Sequence, residues 1–273
     1  MLSSAPSSAL IPTLTLLLSL PVLFFFLAPR FLPPRQISIS LPDELDDLSL
    51  FHKAIAMDSA NFSRRPTHLP AAKSHLSSSL RRPKIAFLFL TNSPLHFAPL
   101  WERFFSNVTL KHYNIYIHAD PFARITPLDG VFKDKIIPSK RTQRSSPTLI
   151  SAARRLLATA MLDDPANSYF ALISQHCIPL HSFNYLYNFL FDLGRLSRDL
   201  EFPSYIEILD NEPTLWDSVN GHPHTYHPPE VSPELIYRLR KSNSTYSYMF
   251  ARKFSADCLN PLMEMADSVI FKD

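Results

Sequence analysis

The sequence predicts an α/β fold with helices packed on the faces of a parallel sheet, because three apolar runs of strand length alternate with two helical patterns. The runs are Lys84-Ile-Ala-Phe-Leu-Phe-Leu90, Asn114-Ile-Tyr-Ile-His-Ala-Asp120 and Tyr169-Phe-Ala-Leu-Ile-Ser174, each bounded by polar or turn residues. Between the first two, Pro94 to Phe105 carries Leu95, Leu100, Trp101 and Phe104. Between the second and third, Thr148 to Leu162 repeats Leu149, Ile150, Ala153, Leu156, Leu157, Ala160 and Met161 at helical spacing. Strand, helix, strand, helix, strand is the order of a parallel sheet with helical crossovers. The run that ends in Asp120 matters most for function, since open α/β sheets bind ligands beyond the carboxyl ends of their strands.

The elements that precede the sheet set an expectation for compartment. Residues 1–8 read as a short tail and 9–29 as a signal-anchor transmembrane helix. Ala9 to Leu27 is uncharged and rich in Leu and Phe, and at a helical rise it extends roughly 28 Å, about the thickness of a bilayer's hydrocarbon core. No basic region precedes it, and Pro29, Arg30, Pro33, Pro34 and Arg35 follow it where a signal peptide would offer small residues for cleavage. Residues 30–82, rich in Pro and Ser and without a sustained period, read as a stem, and the acidic run Asp43-Glu-Leu-Asp-Asp47 within it as a solvated turn or short helix. Residues 83–273 read as the folded domain. Arg30 and Arg35 alone would keep that domain on the cytosolic side. The sequons at Asn61, Asn107 and Asn243 favour the lumen instead.

Composition narrows the function classes. A net charge of +3 with no basic stripe and no interleaved aromatics excludes a nucleic-acid partner. Two cysteines, Cys177 and Cys258, allow at most one internal disulfide. His222, His224 and His227 have short spacing for zinc, but prolines restrict their geometry and an exposed Pro-rich loop is the better reading. His176 and Cys177 are adjacent, so on an extended chain they point apart and do not form a nucleophile pair. His118 shares the strand face of Asp120 by the period of two and reads as a packed core histidine. Asp120 itself precedes Pro121, which suits turn initiation, while its carboxylate also suits ribose hydroxyls or a base N–H.

Five ordered segments carry a resemblance: Lys84 to Thr91, Pro99-Leu-Trp-Glu-Arg-Phe-Phe105, Tyr113 to Pro121, Ile173-Ser-Gln-His-Cys-Ile-Pro-Leu180 and Ser204-Tyr-Ile-Glu-Ile-Leu-Asp210. With Tyr248-Met-Phe-Ala-Arg-Lys-Phe-Ser255 through Phe271, they resemble the plant branch of the core-2/I-branching β-1,6-N-acetylglucosaminyltransferase family (glycosyltransferase family 14). The resemblance implies a GT-A-like, Rossmann-like domain in a single-pass type II Golgi membrane protein. It implies an inverting, metal-independent transfer of a GlcNAc-type sugar from a UDP-sugar to a glycan or glycoprotein acceptor. No Asp-x-Asp pair stands at a strand end to hold a metal, so a cationic side chain must neutralise the diphosphate. The resemblance gives that role to Lys253, with Arg252 beside it, and gives Asp120 the nucleoside.

The chain also departs from the family. After Trp216-Asp217, the run Ser218-Val-Asn-Gly-His-Pro-His-Thr-Tyr226 resembles a segment that lies much further along in relatives, which implies an internal deletion at 217/218. The family's general base belongs to the missing part. Glu207, Asp210 and Glu212, at or just after an expected strand Tyr205 to Leu209, are poor substitutes, since productive geometry tolerates only small displacements. The catalytic residue is therefore left unassigned. The competing expectation is a non-catalytic membrane-anchored isoform, or a nucleotide- or partner-binding remnant that associates with full-length transferases.

Overall fold

A computed structural model describes residues 41–63, 82–125, 127–192, 224–241 and 247–272. The chain divides into units 1–44 and 45–273, and of the first only the opening turn of a helix is described. The expected span at 9–29, the strand at Tyr205 to Leu209, the 217/218 junction and the sequons at Asn61 and Asn243 have no described side chains. Among the described residues no helix is long and apolar enough to cross a membrane.

The second unit is built on the predicted α/β pattern. Strands β1 (Lys84–Thr91), β2 (Tyr113–Ala119) and β3 (Asn167–Ser174) form a parallel sheet in the order β2-β1-β3. Helix α2 (Ala98–Phe105) connects β1 to β2, and α3 (Thr148–Asp163) connects β2 to β3. Side chains of a strand alternate between faces, and the two faces have separate cores. On one, Ile85, Phe87 and Phe89 of β1 pack with Leu100, Trp101 and Phe104 of α2. On the other, Ala86 and Leu88 pack with Tyr116, Leu156 and Ala160. Phe87 is the hub of the first core, with edge-on contacts to Trp101, Phe104, Phe105 and Phe250 at centroid distances of 5.0–6.3 Å, a geometry that aromatic quadrupoles favour.

The later elements complete the first core. After β3 come β4 (Ile178–Pro179) and α4 (Phe183–Asp192), then α5 (Pro233–Arg240), β5 (Phe250–Ala251) and α6 (Leu259–Glu264). Strands β4 and β5 pair antiparallel, Ile178 with Ala251 and Pro179 with Phe250. Helix α5 starts at an N-cap serine, Ser232, which accepts from the Leu235 N–H at 3.2 Å, with Pro233 at the first turn. At its other end Arg240 donates to the carbonyls of Leu180, Val269 and Ile270 at 2.8–2.9 Å, fastening β4 to the C-terminal turn. At the amino ends of the parallel strands, Asp164 accepts from Lys84 and Asn114 at 2.9 and 3.1 Å.

One segment differs from the sequence expectation. Helix α1 spans Leu41–Ser63, inside the stretch read as a stem without a sustained period, where the sequence predicts a turn or short helix over Asp43 to Asp47 only. Its pattern hides this, because Leu45, Leu48 and Ile55 face solvent while Ala54 is buried. Asp47, expected to be solvated, is only 15% exposed and pairs with Arg155 of α3. The acidic run is therefore in part a docking element. A long-range ion pair leaves no periodic trace in sequence, which is why composition missed it.

Candidate functional site

Strand β1 leads to β2 on one side and has β3 on the other, so the strand order reverses at β1. The crevice beyond the carboxyl ends of such strands is where α/β sheets take ligands. Thr91 to Ser93, Asp120 to Phe122 and Ser174 to Cys177 line that end of the sheet. They are tied together: the Asp120 N–H donates to the Thr91 carbonyl at 3.0 Å, and the Gln175 amide donates to Asn92 Oδ1 at 2.9 Å.

Asp120 lies on the β2 side of the crevice and is buried. Its Oδ1 accepts from the Phe122 N–H at 2.8 Å, the side-chain turn that the Asp-Pro pair predicts. Its Oδ2 accepts from the Thr142 N–H at 2.8 Å and the Thr142 hydroxyl at 2.9 Å. Burial disfavours the charged form, but these hydrogen bonds and the nearby Arg141 outweigh it and hold the carboxyl below its ordinary value. Both oxygens are thus engaged, and Asp120 is an ionised acceptor rather than a base. Beside it Phe122 is 76% exposed, with the Arg141 guanidinium 4.9 Å from its ring centroid.

The β3 side is basic. His176 Nδ1 lies 3.1 Å from the Phe254 carbonyl. A carbonyl only accepts, so Nδ1 carries the proton and Nε2 remains an acceptor. The Phe254 N–H returns a bond to the His176 carbonyl at 3.2 Å. Burial lowers the proton affinity of His176, and the charges of Lys253, Arg252 and His96 lower it further. Arg252 and Lys253 thus supply positive charge beside a neutral His176 beyond the end of β3. The Lys253 carbonyl accepts from the Tyr226 N–H at 2.9 Å, which anchors its backbone. Positive charge there suits a polyanion.

Asp120 and Lys253 thus occupy the same end of the sheet, on opposite sides of the β1 terminus. His96, His176, Arg141 and Thr142 were not singled out from sequence for this site. A basic side chain beyond each strand end was the only signal available, and it is a weak one. The histidine cluster has another use than zinc: His224 Nε2 lies 2.6 Å from Glu230 Oε1, and the His227 N–H donates to Glu230 Oε2 at 2.7 Å in a capping box. His222 lies outside the described residues. Among the described residues no group of three side chains is arranged to hold a metal. Cys177 Sγ faces Ser174 at 3.2 Å while His176 faces Phe254, so the adjacent pair does not form a couple. His118 is fully buried, as a core histidine would be. Asn107 is exposed and lies between α2 and β2, at the opposite end of the sheet from the crevice.

The fold thus presents a parallel β2-β1-β3 sheet with a held carboxylate beyond one strand end and basic residues beyond another. Residues 85–207 match the model of the family described as Core-2/I-Branching enzyme. It is also similar to Glycosyltransferase BC10 of Oryza sativa subsp. japonica, with 32% identity over 111 residues, 39% of this chain. The matched segment spans 28% of that rice protein. No solved structure matches the chain. Tyr248 to Phe271, whose sequence also resembles the family, lies beyond the residues matched by the family model.

Proposed function

We propose that the carboxyl-end crevice binds the nucleoside diphosphate of a UDP-sugar, and that the domain is of the GT-A-like glycosyltransferase kind. The observation that carries this reading is the two-way bonding of Phe254 to His176, which sets Arg252 and Lys253 beside the end of β3 in a sheet that matches the Core-2/I-Branching enzyme model. In this reading the acceptor position that Phe122 leaves on Asp120 Oδ1 takes a hydrogen bond from the nucleoside, and Lys253 with Arg252 offsets the charge of the leaving diphosphate. No divalent metal is needed for that role. The sugar is GlcNAc-type and the acceptor a glycan, transfer inverts the anomeric centre, and the protein sits in the Golgi membrane with its domain in the lumen.

Inverting transfer needs a base to take the proton of the acceptor hydroxyl. Asp120 does not serve, since the donors Phe122 and Thr142 hold its carboxyl below the ordinary range and make it a weak proton acceptor. This favours a second reading in which the chain binds donor without transferring it. Titration of the full chain with UDP in the presence of EDTA tests the shared part. Lys253→Ala should weaken binding on the order of 10–100-fold, the value of one charge-assisted contact. Equal affinity of the two proteins would sink the assignment of Lys253. Release of UDP from UDP-GlcNAc in the presence of an acceptor glycan separates the transferase from the binding-only reading.

A further inference from the structure

We infer that helix α1 is a working part of the carboxyl-end site: Asp47 acts through Arg155 and Lys140 as a positioning residue for the segment 139–142 that holds the Asp120 carboxylate. The importance of Asp120 rests on the function proposed above; the linkage itself does not.

The linkage runs through four residues. Arg155 of α3 is 5% exposed. Its Nε donates to Asp47 Oδ1 at 3.0 Å and its Nη2 to Asp47 Oδ2 at 2.5 Å, the forked arrangement that matches guanidinium to carboxylate. Its remaining arm, Nη1, lies 3.1 Å from His118 Nε2. Arginine only donates, so Nε2 is the unprotonated nitrogen of His118. The same Nε2 accepts from the Lys140 N–H at 3.2 Å. Lys140 Nζ then closes the circuit onto Asp47 Oδ1 at 3.3 Å.

Lys140 is thereby held at both its backbone and its side chain by groups that Asp47 organises. One residue before it, Ser139 Oγ accepts from the Ala119 N–H at 3.2 Å. Two residues after it, Thr142 gives Asp120 Oδ2 both of its donors. The segment 139–142 is therefore fastened to the end of β2 at three successive points, and the middle one depends on a carboxylate from α1. Without that charge Arg155 loses its carboxylate partner, and Lys140 keeps the exposed Asp46 at 3.9 Å. A buried guanidinium that has lost its counter-ion is strongly unfavourable, and the 139–142 segment, which lies outside the helices and strands, is the part of the circuit that can yield.

Hydrogen exchange by mass spectrometry on the full chain tests this, with Asp47→Asn, Asp47→Glu and Asp46→Asn compared with wild type. Asp46 is 79% exposed and lies 3.9 Å from Lys140, so it serves as the control. In Asp47→Asn, amides of Lys140, Thr142 and Phe122 should exchange on the order of tenfold faster or more, while those of β1 stay protected. Asp47→Glu should restore part of the protection, and Asp46→Asn should match wild type. Unchanged exchange in 139–142, or a rise shared equally by β1, overturns the positioning role. A UDP titration of the same proteins keeps the two readings apart. Faster local exchange with no UDP binding by any variant, wild type included, retains the linkage and rejects the nucleotide site. UDP binding by wild type with unchanged exchange in Asp47→Asn does the reverse.

Discussion

Replacing Asp120 by Asn separates its structural task from its proposed binding task. The carboxylate accepts three hydrogen bonds, one at Oδ1 from Phe122 and two at Oδ2 from Thr142. An amide has one oxygen and one NH2 group, so it keeps its oxygen toward the two Thr142 donors and turns its NH2 toward the Phe122 N–H. One charge-assisted bond is lost and one N–H is left facing another donor, which costs about 1.5–3 kcal/mol. With a urea m-value of about 2 kcal/mol/M, the unfolding midpoint should fall by roughly 0.7–1.5 M. The difference has a pH signature. The Asp120 carboxyl is depressed in the fold, so its stabilisation is complete above the unfolded value of about 3.9 and is lost as pH falls below that toward the folded value. The gap between wild type and Asp120→Asn should therefore close below about pH 4. Urea unfolding followed by tryptophan fluorescence at pH 7 and pH 3 measures it. A midpoint within about 0.2 M of wild type at pH 7 would refute the three-bond account. Thr142→Val, which removes only the hydroxyl bond, should lie between the two.

Two further outcomes are expected. Burial, reinforced by the charge of Arg155, takes the pKa of His118 down to about 4; its contribution to stability is full above an unfolded value of about 6.5 and is lost as pH falls from there to about 4. His118→Gln keeps an acceptor for Lys140 and Arg155 and should flatten that limb by at most about 3 kcal/mol, and parallel pH profiles of variant and wild type would show that His118 is not its source. If the domain is luminal, Asn107 carries an N-glycan, so protein from plant microsomes should shift on a gel after treatment with an endoglycosidase that cleaves core-fucosylated chains, and Asn107→Gln should remove one step of that shift; an identical pattern for both proteins would count against it.

The sheet was legible because burial imposes its period on the chain. Lys84 to Leu90, Asn114 to Asp120 and Tyr169 to Ser174 each fall within one residue of an observed strand or inside it. Helices α2 and α3 follow from the same physics, since Leu100, Trp101 and Phe104, or Leu156 and Ala160, recur on one side. Partners were not legible. Thr142 reaches Asp120 across 22 residues, His176 meets Phe254 across 78, and Asp47 meets Arg155 across 108. Periodicity reports which face is buried and says nothing of what is packed against it. Helix α1 shows the limit most clearly: it exposes Leu45 and Ile55 and turns an aspartate inward, so a rule that apolar residues mark the inner face reads it backwards.

The two cysteines offer a built-in clock. Cys177 and Cys258 are both buried and both free, on the segments that flank the β4–β5 pair. Burial pushes the Cys258 thiol up from its ordinary value, so little thiolate is present at neutral pH. Neither sulfur reacts with an alkylating reagent until its segment opens. Pulsed labelling would then time the opening of each strand of that pair separately. Because the fold holds both as thiols, reductant should leave the labelling of either one unchanged.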